Sequence, residues 1–211
     1  MQGNKDLIKK ALKLEWFTVS YNVLEGIVSV AFGVLAGSIA LVGFGLDSAI
    51  EVSAAAILLW RLSHKGSDEE AEEKEKKALR FVGITFFALA AYVLYESVSK
   101  LYFHQKPDKS IPGIVITTLS LLIMPILSAK KKKVAKQIGS RALEADAMET
   151  LICSYLSFTV LLGLVLNALF GWWWADPVAA LAMVYFLVKE GRATLKGEGC
   201  CAHNERGGKI K

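Results

Sequence analysis

The segment IALVGFGLDSAIEVSAAAILLW, residues 39–60, places two acidic side chains inside an otherwise apolar run. A helix over this segment is about 33 Å long, enough to cross the hydrocarbon core of a bilayer. Asp47 and Glu51 are four residues apart, so they lie on one face of that helix, one turn from each other. An ionisable side chain within a membrane span is costly and marks a candidate functional site.

The composition of the whole chain agrees with a membrane protein. Of its 211 residues 54% are hydrophobic, whereas soluble domains have about 45–50%. Long apolar runs predict an all-α membrane protein with six transmembrane helices, at 12–35, 39–60, 79–103, 111–129, 144–169 and 173–190. We expect residues 1–192 to form one transport domain and residues 193–211 to be a short disordered cytoplasmic tail. The opening MQGNKDLIKK has no cleavage motif and does not resemble a signal peptide.

The basic residues predict how the spans are oriented. Lysine and arginine are concentrated before the first span, between spans two and three, between spans four and five, and in the tail. In the loops on the opposite side, the only basic residues are Lys106 and Lys109. By the positive-inside rule, both termini are cytoplasmic.

Two charged segments have simple interpretations. SDEEAEEKEKKALR, residues 67–80, is predicted to be a solvated helical lead-in to span three, with a cytoplasmic acidic site that collects cations as the alternative. KKKK, residues 130–133, is interpreted as a topology anchor that also favours anionic headgroups. The chain offers no soluble basic surface, so we expect no nucleic-acid partner.

Span five repeats the spacing found in span two. Glu149 and Cys153 are four residues apart, so they also share a helix face. If the two helices meet, Asp47, Glu51, Glu149 and Cys153 form a four-ligand set that a divalent cation would neutralise. Such a donor set suits zinc, cadmium or another borderline-to-soft metal, and it predicts competition between metal and protons. No predicted span has Lys or Arg in its interior, so we expect no buried base to pair with these acids.

The remaining polar residues of the spans have less definite roles. Asp146 could be an entry ligand that binds the metal before it reaches the main site, a hydrogen-bond partner of a ligand, or a residue at the membrane interface. Asn22 and Glu25 are interpreted first as contacts between helices, with a direct role in transport as the alternative. Glu96 and Asp176 lie close enough to a span end to be solvated. In the tail, Cys200, Cys201 and His203 could bind a metal, although one short segment cannot complete a structural zinc site.

At these residues the sequence resembles the cation diffusion facilitator family of metal/proton antiporters. ALVGFGLDSAIEVSAAAILLW is similar to that family's second span and GSRALEADAMETLICSYLSFTVLLGLVLN to its fifth. WADPVAALAM resembles the start of its sixth span, and LYESVSKL resembles the end of its third. The resemblance covers most of residues 15–192. It implies that Asp47 and Glu51, with Glu149 and Cys153, are the metal ligands.

The chain also departs from the family pattern. Glu51 stands where an aspartate is usual, and Glu149 with Cys153 replaces the common histidine and aspartate. The family usually has a cytoplasmic domain after span six, and only about twenty residues follow here. The resemblance is therefore to the short form that lacks that domain, and any homodimer would be held mainly by membrane helices.

The expected function is export of a divalent metal, first of all zinc, by proton antiport and alternating access. The metal is substrate, and no prosthetic group is expected. We expect a multi-pass protein of a prokaryotic plasma membrane. The alternatives are a soft-metal exporter for cadmium, mercury or lead, a metal-dependent intramembrane enzyme and a membrane protein that transports nothing. An enzyme would favour histidine ligands, but His64, His104 and His203 all lie in loops or the tail, so no enzymatic activity is expected.

Overall fold

The computed structural model describes residues 2–63 and 69–196, and in these ranges the regular structure is entirely α-helical. Six helices follow one another: α1 (Gln2–Ala36), α2 (Ile39–Ser63), α3 (Glu69–Tyr102), α4 (Ile111–Ile138), α5 (Arg141–Phe170) and α6 (Ala175–Leu195). The predicted all-α fold and helix order are confirmed. The charged segment before span three is helical from Glu69 onwards, as expected.

Five of the six helices are long and apolar enough to cross a membrane: α1, α2, α3, α4 and α5. The sixth, α6, carries Asp176, Lys189, Glu190 and Arg192, so its composition alone does not mark it as a span. Its length is nevertheless about 31 Å, and it packs lengthwise against α3 and α5. We treat α6 as the sixth spanning helix on these grounds.

The helices pack in two groups. The most extensive contacts join α1 to α2, α4 to α5, and α3 to α6. Further contacts of α1 with α4, and of α2 with α5, close a four-helix bundle of α1, α2, α4 and α5, while α3 and α6 pack against its side. The predicted site residues on α2 and α5 therefore belong to helices that are in direct contact.

Glycines bring α1 and α2 close together. A Cβ at Gly45 would lie 2.9 Å from the carbonyl oxygen of Gly26, and one at Gly33 would lie 2.8 Å from the backbone nitrogen of Val42. Small residues at a helix interface permit this approach of two backbones. Gly43 instead faces Val93 of α3 and Met183 of α6, so it does not contribute to the α1–α2 contact.

Asp176, the second residue of α6, is fully buried, contrary to the expectation that it is solvated. Its carboxylate accepts a hydrogen bond from the hydroxyl of Ser38 and one of 2.9 Å from the backbone N–H of Ile39. The Ile39 N–H is one of the backbone donors at the start of α2 that have no partner within their own helix, so Asp176 caps a helix other than its own. A residue near a span end was therefore wrongly interpreted as exposed, because a neighbouring helix terminus covers it.

Helix α4 is longer than the predicted span, and this overturns the expectation of an interior without basic residues. The span was expected to end at residue 129, but α4 continues to Ile138 and includes the whole lysine run. Lys130 and Lys133 are exposed, whereas Lys131 is completely buried. The topology-anchor interpretation is wrong for Lys131, which lies inside the bundle among carboxylates.

Candidate metal-binding site

The four predicted ligands lie in the interior of the bundle. Cys153 is fully buried and Asp47 is 3% exposed. Glu51 and Glu149 are partly buried. The helical spacing of four residues therefore directs both pairs inward, as the sequence predicted.

Electrostatic interactions link the two pairs across the α2–α5 contact. The Glu51 carboxyl and the Cys153 thiol are electrostatic neighbours there. The amide of Asn22 on α1 donates a 2.7 Å hydrogen bond to Glu51 Oε2. This hydrogen bond holds Glu51 against α1.

A fifth acidic residue, Glu25 of α1, belongs to the same cluster. It is fully buried, and its Oε1 lies 4.0 Å from Cys153 Sγ. Ser48 of α2 donates a 2.8 Å hydrogen bond to Oε1, and Ser120 of α4 donates to Oε2. Glu25 therefore contacts each of the other three helices of the bundle.

Sequence reasoning gave Glu25 a minor role. The available signal was its spacing: Asn22 and Glu25 are three residues apart and so share a helix face. The pairs on α2 and α5 each contain two ionisable side chains, whereas the α1 pair contains only one, Glu25. The α1 pair was therefore less conspicuous in the sequence.

Asp47 and Glu149 lie on the other side of the cluster, towards α6. Each is an electrostatic neighbour of Glu190 on α6, and Asp47 is also a neighbour of Glu25 and Glu51. Glu190 was not singled out by sequence reasoning, because it stands near the charged end of its helix.

The four predicted ligands do not form a closed cage here. Within the described part of the chain, no three His, Cys, Asp or Glu side chains converge closely enough to hold one ion. Electrostatic contacts link the four residues to one another. In the described ranges no ion pair reaches these four residues or Glu25, so the cluster is a concentration of acidic groups.

Asp146 has a partner of its own. Its Oδ2 lies 2.5 Å from Lys131 Nζ, and Glu15 Oε1 lies 3.2 Å from the same nitrogen. Lys131 Nζ also lies 3.3 Å from Thr150 Oγ1. Lys131 is thus a buried base, which the sequence was expected to lack, and it joins α1, α4 and α5. Its partner Asp146 lies one helical turn from Glu149.

The remaining candidate ligands, Cys200, Cys201 and His203, lie outside the described residues. Their predicted metal binding stays a prediction.

Comparison with known proteins gives a match over most of the chain. Residues 16–198 match the family model described as the cation efflux transmembrane domain. The chain is 27% identical over 154 residues to transmembrane protein 163 of Xenopus laevis, covering 73% of this chain and 54% of that protein. It is also 27% identical over 184 residues to the magnetosome protein MamB of a Magnetospira strain, covering 83% of this chain and 62% of that protein.

A plant protein gives a further match. Metal tolerance protein 4 of Oryza sativa is 27% identical over 166 residues, which cover 75% of this chain and 42% of that protein. The chain thus spans about half the length of the curated relatives it matches.

Proposed function

The chain belongs to the cation efflux family of transmembrane proteins, and we propose that it exports a divalent metal cation, first of all zinc, in exchange for protons. Asp47, Glu51, Glu149 and Cys153 are the proposed ligands. The metal is the cargo of the site.

The observation that carries this proposal is the buried acidic cluster on α1, α2 and α5. Carboxylates in a low-dielectric interior cannot all stay ionised without a cation. The nearby buried base, Lys131, has its own carboxylate partners in Glu15 and Asp146. A divalent cation is therefore the natural counter-charge, and protons replace it when it leaves.

The transport cycle follows from this chemistry. In the described conformation the proposed ligands are electrostatic neighbours that do not converge on one point. We propose that metal binding draws the α2 pair and the α5 pair together by movement of α2 against α5. A subsequent rocking of the helices opens the site to the other side, where protonation of the carboxylates releases the metal.

The fully buried thiol of Cys153 supports a second candidate substrate. Thiolate ligands favour soft metals, so a cadmium, mercury or lead exporter is the alternative function of the same site. Carboxylates make up the other three proposed ligands, and this mixture keeps zinc as the first candidate.

The relatives support metal transport as the general function. One is named for metal tolerance and another as a cation-efflux pump, FieF of Shewanella oneidensis, which is 29% identical over 75 residues. We extend only the shared chemistry, movement of a metal cation, to this chain.

The proposed setting follows the sequence predictions. Both termini face the cytoplasm of a prokaryotic cell, the host membrane is the plasma membrane, and a homodimer forms through membrane helices.

Proteoliposomes test the transport function. The purified protein is reconstituted with a metal-sensitive dye inside, and zinc or cadmium is added outside under an imposed pH gradient. We expect metal flux that depends on the gradient and falls at least about tenfold in Asp47→Ala. Glu96→Gln, which removes a partly buried carboxylate of α3, is the control. Absence of flux, or equal flux in Asp47→Ala, would falsify the proposal.

A further inference from the structure

We propose that α1 supplies two oxygen ligands to the transported cation, the Glu25 carboxylate and the Asn22 side-chain carbonyl, so that three helices build the site. This inference rests on the proposed metal-binding function and adds ligands to that site.

The first support is the position of Glu25 relative to the thiol. Glu25 Oε1 lies 4.0 Å from Cys153 Sγ. In a tetrahedral zinc site with ordinary Zn–S and Zn–O bonds, a sulfur and an oxygen ligand are about 3.6 Å apart. A cation bound to Cys153 can therefore reach Glu25 with a shift of a few tenths of an ångström.

The second support is the spare accepting capacity of Glu25. Each carboxylate oxygen has about two lone-pair sites. Ser48 donates to Oε1 and Ser120 to Oε2, so Oε2 keeps one free site. The second site of Oε1 faces the Cys153 thiol and becomes free when that thiol loses its proton to bind a metal. The two serines hold the carboxylate in place from α2 and α4, as groups behind a metal ligand commonly do.

The third support is an unpartnered oxygen. Asn22 is fully buried, and its Oδ1 has no hydrogen-bond partner in the structure. The nitrogen of the same amide donates to Glu51 Oε2 at 2.7 Å, so Oδ1 is held at the edge of the cluster. An unsatisfied buried carbonyl is costly, and a bound cation would satisfy it.

These contacts also explain why α1 supplies ligands that α2 and α5 do not. Asn22 contacts Glu51, and Glu25 contacts Cys153. Residues of α1 therefore touch one predicted ligand on α2 and one on α5. Sequence patterns for ligands on α2 and α5 could not include the α1 residues.

Zinc binding to the purified full chain gives the first test. We expect the Kd measured by calorimetry in detergent to rise at least about tenfold in Glu25→Gln, which keeps the side-chain volume. Glu96→Gln should stay close to the wild-type Kd. A wild-type Kd in Glu25→Gln would overturn the inference.

Cadmium binding gives a spectroscopic signal that would not change if Glu25 had only a structural role. In a Cys200→Ser/Cys201→Ser background, Cys153 is the one thiol left, and bound cadmium gives a thiolate charge-transfer band in the ultraviolet. If position 25 contacts the metal, adding Glu25→Cys should about double this band, because soft thiolates bind cadmium. The matched control is Ser29→Cys, at a fully buried position one turn further along α1. No increase in Glu25→Cys, or an equal increase in Ser29→Cys, would overturn the α1 ligands.

The two proposals fail in different ways. Wild-type protein that binds zinc but gives no flux would remove the transport function and leave the α1 ligands in place. Wild-type flux combined with unchanged zinc and cadmium binding in the Glu25 variants would remove only the α1 ligands.

Discussion

Lys131 of α4 donates a 2.5 Å hydrogen bond to Asp146 of α5, with both side chains inside the bundle. Glu15 of α1 completes the group, 3.2 Å from the same nitrogen. This buried triad, Glu15, Lys131 and Asp146, supplies its own counter-charge. It is therefore distinct from the acidic cluster around Cys153, for which a metal is proposed.

The triad predicts a large effect when its base is removed. Lys131→Met leaves two buried carboxylates unpaired and should lower the free energy of unfolding by about 3–5 kcal/mol. The measurement is denaturant unfolding in detergent, followed by circular dichroism. The control is Lys130→Met, at the exposed neighbouring position, which should change stability by less than about 0.5 kcal/mol.

Removal of all three charges of the triad tests whether unpaired carboxylates cause the loss of stability. Lys131→Met combined with Glu15→Gln and Asp146→Asn should recover most of the lost stability, because no unpaired charge remains. If the triple variant is no more stable than Lys131→Met, unpaired carboxylates are not the reason for the loss.

The second prediction concerns the cap between helices. Asp176→Ala removes the acceptor for the Ile39 N–H and for Ser38, and should cost about 1–2 kcal/mol of stability. Faster hydrogen exchange at the first amides of α2 should accompany this loss. Asp108→Ala, at an exposed position, is the control, and equal exchange rates in the two variants would contradict the assigned cap.

The third prediction tests the close approach of α1 and α2. A Cβ added by Gly45→Ala would lie 2.8 Å from the backbone nitrogen of Val30 and 2.9 Å from the carbonyl oxygen of Gly26. The two backbones must then separate, at a cost of about 1–3 kcal/mol. Thermal unfolding in detergent measures this cost. Ala56→Ser, at an exposed position of α2, should unfold like the wild type, and a Gly45→Ala variant that does the same would argue against the packing.

The fourth prediction concerns metal selectivity. Cys153→Asp replaces the only sulfur among the proposed α2 and α5 ligands with oxygen, so cadmium binding should weaken by at least about tenfold relative to zinc binding. Competition between the two metals in liposome flux measures the ratio. Ser157→Ala, one turn further along α5, is the control. An unchanged preference in Cys153→Asp would remove the thiol from the account of selectivity.

The sequence predicted the local features of this molecule well. Apolar run lengths predicted six helices in the order found, and α2 begins at residue 39 as expected. The spacing of four residues directed both Asp47 with Glu51 and Glu149 with Cys153 inward. These features depend on helical geometry within one segment, so neighbouring segments are not needed to predict them.

The burial of one lysine in the run at residues 130–133 could not be predicted from the local sequence. Residues 130–133 continue α4, and each helical residue is rotated by about 100° from the one before, so the four lysines point in different directions. One of them, Lys131, turns towards Glu15 and Asp146. Which lysine is buried depends on where α1 and α5 lie, and hydropathy assigns all four to the aqueous side.

The sequence by itself determined that this is an all-helical membrane protein with two inward-facing pairs of candidate ligands, because run length and helical period are properties of each segment alone. Only the tertiary structure decided the partners: Lys131 for Glu15 and Asp146, the α2 N-terminus for Asp176, and Cys153 for Glu25. Partners depend on contacts between residues far apart in the chain. A buried carboxylate's chemistry is set by what those contacts bring to it.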